Sequence, residues 1–251
     1  ISLEAGARQL EFDTWIDWQE RRTVLKAGFP FDLNVSEIRS EIQFGHVKRA
    51  THRNTSWDKA RFEASMHRWV DMSETDFGAA LINDSKYGYD ALEQTMRLTL
   101  LRGSTFPSPD ADLGEHRIRY GLFIHDGVAD LAQVHRAAER FNNPVAVLGS
   151  TKPQPASGEA SESFAFATCD AANVTIETVK KAEKSDALVL RIFEHANTRA
   201  TATITFGLPV KSARLVNLME EGDEGSVKVV DNSVVLDLRP FQIATLLVET
   251  A

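Results

Sequence analysis

The residues best equipped to bind a polar ligand lie at 81–90, LINDSKYGYD. An apolar run there gives way to Asn83, Asp84, Lys86, Tyr87, Tyr89 and Asp90, and two of the chain's three tyrosines flank a glycine. Amide, carboxylate and ammonium groups bond paired sugar hydroxyls, and a tyrosine face packs on the C–H side of a pyranose. Asn83, Asp84, Lys86, Tyr87 and Tyr89 are therefore the expected ligand-binding residues. The same composition also describes a solvated β-turn whose tyrosine rings cover a sheet edge. A second polar-aromatic cluster, THRNTSWD at 51–58 with MHRW at 66–69, is expected to be structural: Arg53 pairs with Asp58, and Trp57 and Trp69 cap the core.

Chemistry by a standard motif finds no support. None of the seven histidines falls in His-x-His or His-Glu-x-x-His spacing, and the single cysteine, Cys169, cannot supply a thiolate zinc site. Gly-x-Ser-x-Gly, Walker and dinucleotide fingerprints are absent from the sequence. The expectation is no catalytic residue, no metal ligand and no cofactor in this chain. A net charge of −8 argues against a general phosphate-binding surface and so against nucleic acid as a partner. No apolar run approaches the about 18 residues of a membrane span. One cysteine forms no internal disulfide, so nothing demands an oxidising compartment, and a cytoplasmic location is expected.

The elements that must hold these residues read as strands. Leu10, Phe12, Ile16 and Trp18 alternate with Glu11, Asp13 and Asp17, and similar alternation recurs at 38–44, 62–70, 96–102 and 118–124. Turn residues at 27–30, 52–55 and 103–114 separate these runs. One helix is expected after Gly127, with Leu131, Val134, Ala138 and Phe141 on one face, Asp130 as N-cap and an end at Asn142-Asn143-Pro144. Residues 150–163, rich in Pro, Ser and Gly, read as a linker or long exposed loop. Alternation then returns at 174–176, 188–193, 201–206, 214–219, 226–230, 234–238 and 243–248, with turns at 180–186, 221–225 and 231–233. At about 150 residues per domain, 251 residues fit two all-β units.

Several stretches resemble the C-terminal β region of α-mannosidases of glycoside hydrolase family 38. They run from Asp17-Trp18 through KAGFP at 26–30, EIQFG at 41–45 and THRNTSWD at 51–58, and on through HRW at 67–69, Ser73-Glu74, residues 81–90 and LTLLR at 98–102. Asp110, Asp112, Gly114 and His116 follow, then VKK at 179–181, LRIFE at 190–194 and PFQI at 240–243. Ala50 and Ser85 depart from the residues common there, proline and cysteine.

The resemblance implies a large antiparallel super-sandwich, similar to the galactose-mutarotase fold, over residues 1–148. A linker at 149–163 and a small C-terminal β-sandwich at 164–251 would follow. It implies a retaining, metal-dependent hydrolase of terminal α-mannosides whose Asp nucleophile and zinc ligands lie in an N-terminal domain outside this chain. The start at Ile1, without Met, is read as a cut edge. The partners implied are those N-terminal domains and an α-mannoside; a homo-oligomer is left open. The chain alone is expected to be inactive and to complete the cleft through its 83–90 loop. An autonomous carbohydrate-binding module is the alternative.

Overall fold

The computed structural model describes residues 1–147 and 163–250, in two units, Ile1–Val145 and Ala146–Ala251. The first contains β1 (Ser2–Leu3), β2 (Gln9–Trp18), β3 (Leu25–Pro30), β4 (Glu37–Ile42), β5 (Gly45–Ala50), α1 (Ser56–Ala60), β6 (Ala64–Ser65), β7 (Trp69–Ser73), β8 (Gly78–Asn83), β9 (Gly88–Leu92), β10 (Thr95–Leu101), β11 (Gly114–His125) and α2 (Leu131–Asn142). Its strands form a seven-stranded sheet, β1-β2-β11-β8-β7-β4-β5, and a four-stranded sheet, β3-β10-β9-β6. Every pairing is antiparallel.

Period-2 alternation sets the faces. Leu10, Phe12, Ile16 and Trp18 of β2 turn inward onto Leu81, Ile118 and Tyr120, and meet Met96 and Leu98 of the smaller sheet in one core. Phe12 stacks on Tyr120 with centroids 4.9 Å apart. The strands β7 and β8 are buried along their whole length. Their second face, with Trp69, Ala80 and Ile82, is covered by Leu131, Val134, Ala138 and Phe141 of α2. Burial on both sides explains why residues 78–82 read as a continuous apolar run rather than an alternation.

Local expectations in the first unit need correction at four places. The residues expected to form a turn at 27–30 lie in β3 and pair with β10, from Ala27 opposite Leu98 to Pro30 opposite Thr95. The strand expected over 62–70 is two strands in different sheets, β6 and β7. The chain changes sheet between them, where Met66 N–H bonds the carbonyl of Tyr87 and His67 N–H that of Glu41. The polar turn at 51–58 contains α1, started by a capping box: Thr55 Oγ1 accepts Asp58 N–H at 3.1 Å, and the Asp58 carboxylate accepts Thr55 N–H at 3.1 Å. Asp58 therefore serves Thr55, with His52 at 3.6 Å, instead of pairing with Arg53. No residue of α1 is buried, so Trp57 is 75% exposed and caps nothing; Trp69 is in the core as expected. Asp130 makes no side-chain cap on α2, because a 3-10 turn over Val128–Asp130 leads into that helix.

The second unit holds β12 (Ala167–Cys169), β13 (Val174–Lys181), β14 (Leu188–Glu194), β15 (Ala200–Phe206), β16 (Val210–Val216), β17 (Gly225–Val227), β18 (Ser233–Leu238) and β19 (Ile243–Thr250). A three-stranded sheet, β12-β15-β18, and a five-stranded sheet, β13-β14-β19-β16-β17, enclose Leu190, Ile192, Ile204, Val234 and Leu246. The strand expected at 214–219 begins earlier and stops at Val216. Asn217 Oδ1 there accepts the N–H groups of Met219 and Glu221 at 2.9 and 3.0 Å and turns the chain. Apart from Ser163, the expected linker at 149–163 lies outside the described residues. Among the described residues no helix is long and apolar enough to cross a membrane.

Candidate functional site

The 83–90 loop connects β8 to β9, and its ends are tied down by the polar residues at either side. Asn83 is buried at the end of β8. Its Oδ1 accepts Lys86 N–H at 2.9 Å, closing the turn, and its Nδ2 donates to the His67 carbonyl at 2.8 Å. Tyr89 is buried on β9, where its hydroxyl meets Ser40 Oγ and accepts from Arg49 Nη1 at 3.1 Å. Asp90, also buried, accepts from Lys26 Nζ at 2.5 Å and from Arg97 Nε at 2.7 Å. The amide and phenol of Asn83 and Tyr89 are thus engaged in shaping the loop. Asp84 and Lys86 are half-buried and Tyr87 is 55% exposed, so these three present themselves to solvent.

Lys86, Tyr87 and Tyr89 border one cleft of about 1160 Å³, which Asn83 and Asp84 do not line. The paired strands β9 and β10 contribute Tyr89, Asp90, Thr99 and Leu101 to its lining. The β6 strand pairs on the other side of β9, Ala64 opposite Tyr89, and brings Glu63 and Arg61 alongside. Residues of β5, of the turn before α1, of α1 itself and of the stretch after β10 complete the wall, including Arg49, Arg53, Asp58 and Arg102. Trp57 and Phe62 stand exposed beside these lining residues, and Phe106, 86% exposed, is itself on the rim.

The electrostatics of the cleft are fixed by hydrogen bonds. Burial pushes Glu63 upward, but the Thr99 hydroxyl and Lys26 Nζ at 3.2 Å, both on Oε1, together with the charges of Lys26 and Arg102, hold it below the usual carboxylate range. Hydrogen bonds from Thr55 hold Asp58 low as well, assisted by the charges of His52 and Arg61. Both are acceptors at neutral pH.

Behind the loop lies a buried polar layer that the sequence reading did not single out. Glu41 binds Arg68 through Nε and Nη2 and through the backbone N–H of Arg68 at 2.7 Å, with His135 Nδ1 at 3.4 Å. Asp71 and His125, both fully buried, face each other at 2.8 Å, and Ser73 donates to the same carboxylate. For Asp71 the available signal was a charged residue between Val70 and Met72 on one strand. Among the described residues no group of three His, Cys, Asp or Glu side chains converges to hold a metal ion. The chemistry this geometry supports is recognition of hydroxyls and charge, with the loop held rigid by its buried anchors.

Comparison with known proteins gives matches over both units. Residues 1–110 match the family described as glycosyl hydrolases family 38 C-terminal domain, and residues 173–246 the glycosyl hydrolases family 38 C-terminal beta sandwich domain. Alpha-mannosidase 2C1 of Homo sapiens is 40% identical over 251 residues, 98% of this chain and 24% of its own length. Alpha-mannosidase G of Dictyostelium discoideum is 33% identical over 248 residues, covering 98% of this chain and 22% of its own. The crystal structure of an alpha-mannosidase from Enterococcus faecalis V583 shares the fold, with a TM-score of 0.82 over 97% of this chain and 28% of that one, at 22% identity. The chain spans about a quarter of the length of the curated relatives it matches.

Proposed function

We infer the function from one premise, that this chain belongs to the C-terminal region of glycosyl hydrolase family 38: it is the non-catalytic C-terminal part of an α-mannosidase that hydrolyses terminal α-mannosides. The observation that carries this reading is the match itself, near-complete over this chain and confined to about a quarter of enzymes named α-mannosidase. The reaction belongs to the whole enzyme. A retaining hydrolase needs two carboxylates about 5–5.5 Å apart across the scissile bond. We assign neither to this chain, and the metal of the enzyme is assigned to the domain upstream. We read the chain as two domains, a large sandwich over 1–148 and a small one over 164–251.

The role of the chain is to complete the substrate cleft. Lys86 and Asp84, held by the Asn83 turn, bond sugar hydroxyls or orient groups of the catalytic domain, and Tyr87 lines the entrance. What supports this is a loop anchored on both sides by buried hydrogen bonds, since a positioned contact contributes to rate only when its geometry is fixed in advance. In the full-length enzyme, Lys86→Ala and Tyr87→Phe are each expected to lower kcat/KM by about tenfold, the worth of one hydrogen bond to a charged or polar group. Unchanged kcat/KM in both would remove the loop from the site.

A further inference from the structure

We propose that the cleft of the first unit is a binding site for a sugar phosphate, the phosphate taken by Arg53, Arg61, Arg102 and Lys86 and the ring hydroxyls by Asp58, Glu63 and Asp112. The charges of the cleft are unevenly satisfied. Each of its carboxylates is already bonded. Asp58 serves Thr55, Glu63 serves Lys26 and Thr99, and Asp90 serves Lys26 and Arg97. Asp112 Oδ2 accepts the backbone N–H groups of Arg102 and Gly103 at 3.2 and 2.8 Å. The cations are different. Among the described residues the side chains of Arg53, Arg61, Lys86 and Arg102 make no hydrogen bond and no ion pair, although all four line the cleft. Arg61 and Arg102 reach Asp58 and Glu63 through their charge alone, while Arg53 and Lys86 are half-buried. Withdrawing a cation from water without a counter-charge is unfavourable, and an anion arriving in the cleft removes that penalty. Guanidinium groups suit phosphate in particular, because their planar donors match its oxygens in pairs.

The carboxylates decide what else the ligand carries. Glu63 uses Oε1 for both of its partners, Asp58 uses Oδ2 for Thr55 and His52, and Asp112 uses Oδ2 for its two backbone donors. One oxygen of each therefore has no bond among the described residues. Three free acceptors interleaved with cations would repel a polyanion, but they match a ring bearing several hydroxyl donors and a single anionic group. The exposed ring of Tyr87 offers an apolar face for the C–H side of that ring. A volume of about 1160 Å³ holds a monosaccharide with room to spare, beyond what a bare phosphate ion fills.

The charge pattern stands independently of the α-mannosidase reading; the choice of mannose as the sugar rests on it. Calorimetric titration of the 251-residue chain with mannose 6-phosphate, mannose, inorganic phosphate and a glutamate-rich peptide is the test. Mannose 6-phosphate is expected to bind at least tenfold tighter than mannose or inorganic phosphate, and to weaken as salt rises. Arg61→Gln and Arg102→Gln, both at exposed positions, should each weaken it about tenfold with Tm unchanged, while keeping mannose binding as weak as before. Equal affinity for mannose and its phosphate, equal affinity for inorganic phosphate, preference for the peptide, or no binding at all would each overturn the proposal. None of these outcomes touches the α-mannosidase reading, which hydrolysis by the longer enzyme tests separately.

Discussion

Burial of Glu41 favours its neutral form, yet the hydrogen bonds from His135 and Arg68 and the charge of Arg68 outweigh it and bring its pKa from 4.5 to about 2. A folded-state pKa below the unfolded one contributes stability that is complete above the unfolded value and is lost as pH falls through the folded one. The pair should therefore add about 3 kcal/mol at neutral pH, vanishing between about pH 4.5 and pH 2. Urea unfolding across that range should show a steep loss in the native chain and a shallower one in Glu41→Gln; identical slopes would remove Glu41 from the acid sensitivity. Tyr89→Phe, which leaves the buried Ser40 and the half-buried Arg49 without their phenol partner, should lower stability by about 1–2 kcal/mol at pH 7 by the same measurement. Single residues were only partly legible in the sequence. Residue types picked out 83–90 as dense in polar and aromatic groups. They could not say that Asn83 and Tyr89 would face inward while Lys86 and Tyr87 faced out, because one residue of register reverses every side chain. The arginines of the cleft were invisible for another reason: a net charge of −8 averages over the surface and hides a local cluster of cations.

Among the elements, β8 is the one on which the site depends, since it carries Asn83 at one end and Gly78 at the other. A Cβ at Gly78 would sit 2.4 Å from His125 Cε1 and 2.8 Å from Ser73 Oγ, inside the buried Asp71–His125 pair. Gly78→Ala should therefore cost about 1–3 kcal/mol through overpacking and lower Tm by several degrees. A thermal melt indistinguishable from the native chain would mean that the pair can yield. Most strands were readable because alternation reports a sheet with one buried face. Where both faces are buried, as in β7 and β8, alternation fades and only the apolar run remains. The short helix α1 went unread because five residues give no periodicity, although Thr55 and Asp58 carried its capping box in plain sequence. The break between β6 and β7 had no local signal, since it is set by which sheet each strand joins.

For the whole molecule, the family resemblance and the all-β architecture were legible together: motif residues spread over both units point to one family, and the sheets they build are those of its C-terminal domains. What composition could not supply is the reaction, because the proposed function places the carboxylate pair and metal of a retaining mannosidase outside this chain. The account thus divides the enzyme into a part that performs the chemistry and a part that shapes the cleft. Release of 4-nitrophenol from 4-nitrophenyl α-D-mannoside tests that division most directly. Compared at equal concentration with the longer polypeptide that carries the upstream domains, the 251-residue chain should give no release above the buffer rate while the longer one turns over. Sustained release by the 251-residue chain alone would contradict the account.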